Sequence, residues 1–238
     1  MPSAFGKLFG RHSFASKILK SKQAVPEEWK SCALADTPFL SIDLELTSLD
    51  TQVAKITSIG WLQGKSQQVD LSTAFYKVIR ASGDLAQSPV IHGLTAKDLA
   101  QGEHIASAVE QLKTLAESHI WVLHNASLDM QVIARVADAL NLPKTQITTL
   151  DTMLLEMYFL NKSQDMVKQD ALTLEQCRLR HQLPSAPNHN ALDDALATLT
   201  LAFSQLYQLD KANSVTIRDL LQTKAFNVFT IGQAAVST

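Results

Sequence analysis

The sequence predicts an α/β fold in which helices flank a mixed sheet of five strands. Apolar and polar residues alternate through residues 39–47, which is the pattern of a strand with one buried face. Two further strand-like stretches follow within residues 54–80, separated by a short break. From residue 93 onwards, helical patterns alternate with compact apolar runs. Together these three observations predict a strand meander followed by β–α–β units.

Composition and length place the chain among globular proteins of ordinary polarity. It has 238 residues, of which 46% are hydrophobic and 18% charged, enough for one domain with extensions or two small domains. The net charge of −2 excludes a global basic field, although a local basic patch stays compatible with it. Cys32 and Cys177 form no metal-binding motif, so we expect reduced thiols in a cytoplasmic protein. No apolar run approaches the roughly 20 residues that span a bilayer, so we expect no membrane contact.

Residues 1–36 are predicted to form an N-terminal extension that is basic and partly helical. Five lysines and arginines precede the first acid, and apolar residues recur every three to five positions between Phe5 and Leu19. Two interpretations stay open: a helix or arm that covers part of the core, and a basic arm that contacts a phosphate backbone or a partner. Pro26 and the two acids after it predict the start of another short helix.

The strand at residues 39–47 carries two acids on one face. The residues on its first face are Leu40, Ile42, Leu44 and Leu46, and those on the second are Ser41, Asp43 and Glu45. Asp43 and Glu45 therefore point the same way from a strand that is otherwise built for burial. Like charges repel strongly at low dielectric, so the pair predicts a cation between them, and oxygen ligands suit Mg²⁺ or Mn²⁺. An edge strand with a solvated acidic face is the alternative interpretation.

The rest of the predicted domain, residues 37–208, alternates strands and helices. Strands are predicted at residues 54–62, 69–80, 120–123 and 147–150. Helices are predicted at residues 105–118, 128–140, 151–160, 172–183 and 191–209 from the 3.6-residue spacing of their apolar side chains. Sheets of this kind gather their ligands where strands end and helices begin. Residues 209–238 are predicted to be a helical tail, with its helix near residues 215–224.

Two more acids and a histidine occupy such positions. Asp129 lies in the first turn of the helix after the central strand, where plain capping is the alternative role. Asp194 lies in the first turn of the last long helix, beside Asp193, and His189 precedes it in a loop, where an exposed histidine without a role is the alternative. Four converging carboxylates would need metal, and two divalent ions about 3.5–4 Å apart would neutralise them and clamp a phosphoryl group. A loop histidine that titrates near pH 7 suits a general base.

Three motifs built on these residues resemble those of the DEDD 3′–5′ exonucleases, in the subgroup with a histidine in the last motif. The proofreading epsilon subunit of bacterial DNA polymerase III and RNase T belong to this subgroup. The family's F-D-x-E-T-T-G-L, H-N-x-x-F-D and H-x-x-x-x-D correspond here to Ile42–Leu49, His124–Asp129 and His189–Asp194. The segment Val90–Thr95 is similar to the family's I-H-G-I-T. The resemblance covers roughly residues 37–208, and the order and spacing of the motifs make it specific.

The resemblance implies a ribonuclease H-like fold and metal-dependent removal of 3′-terminal nucleotides. The residues that would hold two Mg²⁺ or Mn²⁺ ions are Asp43, Glu45, Asp129 and Asp194. In the family pattern Asp43 bridges both ions, and His189 would deprotonate the attacking water. Asp193 is the competitor for Asp194, and the spacing from His189 favours Asp194. The residues that would contact the terminal nucleotide are Leu46, Thr47, Leu49, His92 and Asn125.

The resemblance leaves the substrate and the partners open. Single-stranded DNA is the favoured substrate, RNA or short oligonucleotides are the alternative, and a DNA polymerase or another replication protein is a candidate partner. A non-catalytic subunit that binds nucleic acid or a polymerase is a third interpretation, although a scaffold has no need for four clustered acids. Leu46 and Ser48 replace the family's threonine and glycine, and Leu128 stands where phenylalanine is common. These departures affect substrate fit and leave the ligand set intact.

Overall fold

In the computed structural model, helices cover both faces of one six-stranded sheet. The structure describes residues 24–81, 94–163, 170–187 and 189–234. The strands are β1 (Phe39–Leu46), β2 (Ile56–Lys65), β3 (Gln68–Val78), β4 (Ile120–Leu123), β5 (Thr145–Asp151) and β6 (Phe226–Ile231). Their order across the sheet is β3-β2-β1-β4-β5-β6, so the acidic strand β1 lies in the interior of the sheet.

The helices of the described residues mostly lie where the apolar spacing predicted them. They are α1 (Glu27–Lys30), α2 (Ala96–Gln101), α3 (Ile105–Leu115), α4 (Ala126–Ala139), α5 (Thr152–Ser163), α6 (Leu174–Arg180), α7 (Ala191–Leu209) and α8 (Ile217–Leu220). Two short 3-10 helices occupy Leu34–Asp36 and Leu221–Thr223. The long helices α4 and α7, which carry the predicted acids, confirm the periodicity argument.

The sheet is mixed, as predicted. β1, β2 and β3 form an antiparallel meander, and the turn between β2 and β3 has positive φ angles at Ser66 and Gln67 (53° and 62°). Two successive positive φ angles match the twist of a tight hairpin. β4 is parallel to β1, β5 is parallel to β4, and β6 is antiparallel to β5. The ends of β1, β4 and β5 therefore meet at one edge of the sheet, which is where the acids lie.

Each face of the sheet buries its own apolar cluster. Leu40, Ile42 and Leu44 of β1 pack into the cluster on the α3 and α4 face. Phe39 packs into the other cluster, with α7, α5 and α8. Because side chains alternate along a strand, β1 sends both of its acids to one face, as the sequence predicted, and this face is the one that α7 covers.

The structure corrects the prediction for the C-terminal tail. The tail contains α8 where a helix was predicted, but it ends in β6, so the sheet has six strands and the predicted count of five is wrong. β6 places Val228 in the cluster under α7 and Phe229 against the cluster under α4. A strand that is buried on both faces lacks the apolar–polar alternation by which strands are recognised, which explains the missed strand.

The described part of the N-terminal extension packs on the same core. Ala33 pairs with Thr216, and the N–H of Leu34 donates to the carbonyl oxygen of Val215 at 3.0 Å. Val25 and Leu34 join the apolar cluster under α7. Residues 24–36 thus cover part of the core, which was one of the two interpretations. The predictions for residues 1–23 lie outside the described residues.

The predictions about the two cysteines and about membrane-spanning segments can be compared with the structure. Both cysteines are free thiols, as predicted. Burial raises the pKa of the Cys177 thiol to about 12, which keeps it protonated and unreactive. Among the helices of the described ranges, none combines the length and hydrophobicity that crossing a bilayer requires.

Candidate metal centre and active site

The candidate site begins at the end of β1. Asp43 and Glu45 leave this strand on the α7 face; Glu45 is buried and Asp43 half-buried. The pairing register between β1 and β2 shifts directly after Glu45, and the hydroxyl of Thr57 donates to the carbonyl oxygen of Glu45 at 3.1 Å. This irregularity ends the regular strand where its two acids reach the edge of the sheet.

Helix α7 begins close against this end of β1 because β2 carries a glycine at the crossing. Gly60 pairs with Asp43, and a Cβ atom added to Gly60 would lie 2.3 Å from the amide nitrogen of Leu192. Only a glycine permits this approach of the helix backbone. From β1, the hydroxyl of Ser41 donates to the carbonyl oxygen of Ala195 at 2.7 Å. The first turn of α7 is therefore held directly beside Asp43.

Three carboxylates meet at this junction. One oxygen from each of Asp43, Glu45 and Asp194 lies within 4.8 Å of the other two. Asp194 stands in the first turn of α7, whose start is capped by the side chain of Asn190. Of the two neighbouring acids in α7, Asp194 belongs to this group of oxygens, and Asp193 does not.

Asp129 adds a fourth carboxylate from α4. It lies in the first turn of that helix and exposes 5% of its surface. After burial, the charge of Asp129 is the largest cause that raises the pKa of Asp43 well above its ordinary value. We refer to Asp43, Glu45, Asp129 and Asp194 as the acidic cluster.

Burial and mutual repulsion raise the pKa values within this cluster. Burial is the first cause for Asp129, followed by the charges of Asp151 and Glu45. For Asp194, burial and then the charge of Glu45 raise the pKa to about 6. Among the described residues, the charged groups that shift the pKa values of Asp43 and Asp129 are all carboxylates. The cluster therefore holds negative charge that favours a bound cation.

The donor set of the cluster fits a hard divalent cation. All the donors are carboxylate oxygens, which suit Mg²⁺ and Mn²⁺. Metal–oxygen bonds of about 2.0–2.6 Å place opposite ligands about 4–5 Å apart, in the range of the 4.8 Å that spans the three oxygens. A bound cation would also relieve the repulsion that raises the pKa values. The acidic cluster is thus a candidate metal centre.

His189 lies at the rim of the cluster. It is exposed, its φ angle is 68°, and its backbone N–H donates to Oδ2 of Asp194 at 3.1 Å. The charge of His189 is among the causes that lower the pKa of Asp194, so the imidazole lies within electrostatic reach of that carboxylate. A positive φ is unusual for a residue with a side chain and is found preferentially at functional sites.

The last residue of β1 and the loop after it carry three of the predicted substrate contacts. Leu46 is half-buried against the core, and the hydroxyl of Thr47 accepts a backbone N–H across the loop at 2.9 Å. Leu49 exposes 45% of its surface at the tip. Arg135 of α4 donates from Nε to the carbonyl oxygen of Thr51 at 3.0 Å, so the helix that carries Asp129 also supports this loop.

Of the two other predicted substrate contacts, the structure describes Asn125 but not His92. Asn125 is half-buried and directly precedes α4, with a φ of 72° and no capping hydrogen bond from its side chain. It lies at the same edge of the sheet as Asp129. His92 lies outside the described residues.

The sequence reasoning missed two residues that shape the site. Asp151, at the end of β5, exposes 3% of its surface, and burial raises its pKa to about 6 against the lowering effect of four backbone hydrogen bonds. An acid that directly follows a buried strand, at the edge where Asp43 lies, is a signal that could have found it. Gly60 was missed because a lone glycine within a strand pattern does not reveal which backbone approaches it.

Sequence comparison finds relatives among exonucleases. Residues 40–202 match the model of the RNase T family, which is described as an exonuclease family. A DNA polymerase III subunit epsilon-like protein from Rhodobacter capsulatus is 28% identical over 194 residues, which cover 77% of this chain and 26% of that protein. The chain therefore spans about a quarter of the length of this curated relative.

Solved nuclease structures share the architecture. Cell-death related nuclease 4 aligns with a TM-score of 0.60 at 11% identity, covering 83% of this chain and 81% of its own. E. coli Exonuclease I in complex with a dA16 oligonucleotide gives 0.57 at 15% identity, covering 79% and 43%. A 3′-exonuclease in a structure of histone mRNA stem-loop recognition gives 0.55 at 12% identity, covering 75% and 68%. At these identities the likeness shows the fold, which is ribonuclease H-like.

Proposed function

The chain belongs to the RNase T exonuclease family, and from this premise we propose that it removes nucleotides from the 3′ end of single-stranded DNA by metal-dependent hydrolysis. The observation that carries the proposal is the convergence of Asp43, Glu45 and Asp194 within 4.8 Å. Asp129 is near enough for its charge to raise the pKa of Asp43. Buried like charges lower the free energy of unfolding, so such a cluster has no evident structural benefit. It has a chemical one, because phosphodiester hydrolysis needs cations near the phosphate.

The acidic cluster would hold two Mg²⁺ or Mn²⁺ ions. When bound, such ions stabilise charge on the phosphate and lower the pKa of the attacking water. Asp43 is the proposed bridging ligand. Its pKa responds to the charges of Asp129, Glu45 and Asp194 together, which supports a position between the other three carboxylates.

His189 is the proposed general base. Its backbone hydrogen bond to Asp194 keeps the loop at the rim of the cluster, and its exposed imidazole can accept a proton from water. The water oxygen attacks the phosphorus of the last phosphodiester, and the bond to the 3′ oxygen of the preceding nucleotide breaks. That oxygen takes up a proton, and a nucleoside 5′-monophosphate leaves. A positioned base of this kind contributes about 10²–10⁴-fold to the rate.

The loop after β1 would bind the 3′ end of the nucleic acid. Leu49 offers an exposed apolar side chain to a base, a contact that does not depend on sequence. Leu46 and Thr47 would shape the floor of this contact, Asn125 offers an amide to the sugar or phosphate, and His92 is carried over from the family motif.

Single-stranded DNA is placed first because Exonuclease I, which shares the fold, was solved with a dA16 oligonucleotide. RNA is the second candidate, because a 3′-exonuclease of the same fold was solved in a study of histone mRNA recognition. The epsilon-like relative supports a DNA polymerase or another replication protein as a partner.

Digestion of 5′-labelled single-stranded DNA and RNA of one sequence, side by side with Mg²⁺, Mn²⁺ or EDTA, tests the proposal. We expect DNA to shorten in single-nucleotide steps from its 3′ end with either metal and to stay intact in EDTA. Faster cleavage of RNA than of DNA would make RNA the substrate in place of single-stranded DNA. Binding without cleavage would favour a non-catalytic subunit.

Two neighbouring variants test the ligand assignment in the same assay. Asp194→Asn should abolish cleavage, because it removes a proposed metal ligand, and Asp193→Asn should cleave like the wild type. The pair differs by one position in the same helical turn, so a general effect on α7 would affect both. The reverse result would transfer the ligand role to Asp193.

A further inference from the structure

Asp151 collects an unusual number of backbone hydrogen bonds for one carboxylate. Its Oδ1 accepts the N–H groups of Asn125 (3.2 Å), Met153 (2.9 Å) and Leu154 (3.3 Å), and its Oδ2 accepts that of Ala126 (2.9 Å). The side chain is 3% exposed, at the end of β5. Four donors on one buried carboxylate leave it little freedom to move.

These four amides belong to the starts of two different helices. Met153 and Leu154 lie in the first turn of α5, which Asp151 directly precedes, whereas Asn125 and Ala126 begin α4. The first amides of a helix have no partner within it and need an acceptor. Asn125, in the capping position of α4, makes no capping hydrogen bond with its side chain. Asp151 supplies the missing acceptor from the neighbouring strand.

We propose that Asp151 is a positioning residue that fixes the carboxylate of Asp129 for metal binding by capping α4 from outside that helix. The inference rests on the proposed function, because it takes Asp129 to be a metal ligand. Asp129 lies three residues after Ala126, on the first turn of α4. A shift of the capped amides therefore moves the turn that carries Asp129. Metal ligands must be held within about 0.5 Å of their working positions, so a small shift matters.

A direct ligand role for Asp151 fits the geometry less well. Both of its oxygens already accept backbone N–H groups, three on Oδ1 and one on Oδ2. Outer residues that orient ligands typically change metal affinity by about 10–100-fold when they are replaced. This range is the effect that we expect for Asp151.

Thr152, the residue after Asp151, contacts the segment directly before α4 through its side chain. The hydroxyl of Thr152 is 2.8 Å from Nδ1 of His124, and Nε2 of His124 is 2.8 Å from the carbonyl oxygen of Leu172. Burial lowers the pKa of His124 to about 4, so the ring is neutral near pH 7. Asp151 and Thr152 thus hold the turn before α4 at two successive residues.

Mn²⁺ affinity, measured by calorimetry on the full chain, tests the inference without relying on catalysis. We expect Asp151→Asn to weaken Mn²⁺ binding about 10–100-fold and Asp151→Ala to weaken it further. Asp210→Asn is the matched control, because Asp210 is also a buried acceptor of a backbone N–H, that of Ser214 at 2.7 Å, and takes no part in the acidic cluster. It should lower the unfolding temperature but change the affinity less than about twofold. Hydrolysis by Asp151→Asn should recover in part as Mn²⁺ is raised.

Amide hydrogen exchange of the metal-free proteins identifies the cause. In Asp151→Asn, the amides of Asn125 and Ala126 should exchange at least about tenfold faster, and that of Val122 in β4 should not change. Unchanged Mn²⁺ affinity would overturn the positioning role, and weaker affinity with unchanged exchange would make Asp151 a direct ligand. If Asp151→Ala does not fold, Asp151→Asn, which keeps one acceptor oxygen, decides. A wild type that binds no Mn²⁺ would refute the proposed function instead, and exchange would still decide the capping.

Discussion

The pKa values of buried carboxylates shift in opposite directions in two groups, the network around Glu156 and the acidic cluster. Glu156 of α5 accepts hydrogen bonds from Nε of Arg180 (2.7 Å), Nε2 of His181 (2.9 Å) and Nε2 of Gln205 (2.8 Å). Burial alone would raise the pKa of Glu156, but these hydrogen bonds outweigh it and lower the pKa to about 2. In the acidic cluster, burial and neighbouring carboxylates act together, and the pKa values of Asp43, Asp129 and Asp194 all rise.

The difference separates a charge that the fold satisfies from one that it leaves for a ligand. Around Glu156 the chain provides a guanidinium, an imidazole and an amide, and the resulting network ties α5 to α6 and α7. Around Asp43 it provides further acids. A buried carboxylate without compensation is costly, so it persists where something from solution completes it. The fold and the site can therefore be perturbed separately.

Replacement of a single acid in the cluster should have the largest effect. Asp43→Asn should reduce cleavage by roughly 10³-fold or more, because it removes the proposed bridging ligand. It should also raise the free energy of unfolding of the metal-free protein, since it relieves repulsion with Asp129 and Glu45. Urea unfolding in EDTA and a cleavage assay check both parts. A variant that is inactive and also less stable without metal would remove the distinction between the two groups.

The matching change at Glu156 should have the opposite effect on stability. Glu156→Gln should lower the free energy of unfolding by about 1.5–3 kcal/mol, because it removes the anion that accepts hydrogen bonds from Arg180 and His181. Mn²⁺ affinity at the acidic cluster should change little once the protein is folded. Urea unfolding and calorimetry measure the two quantities. Unchanged stability would mean that the network contributes nothing to the fold.

Two glycines of β2 allow a smaller, matched test of position. In Gly60→Ala, the added Cβ atom would lie 2.3 Å from the backbone of Leu192 at the start of α7. In Gly64→Ala, it would lie 2.8 Å from the backbone oxygen of Gln68 and close to the side chains of Phe203 and Leu199, further along α7. Both changes should cost about 1–3 kcal/mol of stability through overpacking. Only Gly60→Ala should also weaken Mn²⁺ binding, because it displaces the turn that carries Asp194. Equal loss of Mn²⁺ affinity in both variants would contradict this assignment.

The pH dependence of stability should show the smallest effect, with opposite signs for Glu156 and for the two acids whose pKa is raised to about 6, Asp151 and Asp194. Asp151 and Asp194 have folded-state pKa values of about 6 against an ordinary 3.8, so the folded protein binds more protons between these values and the metal-free protein loses stability as pH rises from about 4 to 6. The contribution of Glu156 is present above its ordinary 4.5 and is lost as pH falls towards 2. Urea unfolding in EDTA from pH 2.5 to 7.5 measures both. Saturating Mn²⁺ should remove the share of this loss that comes from Asp194, the proposed ligand, while the share of Asp151, which burial causes, should stay. A loss that Mn²⁺ leaves unchanged would assign all of it to groups outside the metal centre.

Local patterns in the sequence predict much of the fold and of the site. The alternation in β1 places Asp43 and Glu45 on one face, and the stripe of α7 gives its bounds at Ala191–Leu209. The spacing from His189 favours Asp194 over Asp193, and the group of converging oxygens contains the same residue. The two inferences about β1 and α7 succeed because each depends on neighbours within a few positions of the chain, and the choice of Asp194 as a ligand stays a prediction.

The missed features depend on contacts between distant parts of the chain. β6 is covered on both faces, so its sequence lacks a period of two. Gly60 is required by the backbone at Leu192, more than a hundred positions later. Asp151 caps a helix that begins 25 positions before it. No local pattern reveals which element will approach such residues.

Unfolding of the wild-type protein in Mn²⁺ and in EDTA at pH 7.5 tests the central claim most directly, namely that the acidic cluster is completed by divalent cations. The free energy of unfolding should rise with Mn²⁺, by about 2.7 kcal/mol at a hundred times the dissociation constant of one site, and Asp43→Asn should lose most of this rise. If the wild type is equally stable with and without Mn²⁺, the cluster is not a metal centre, and the account of the site is wrong.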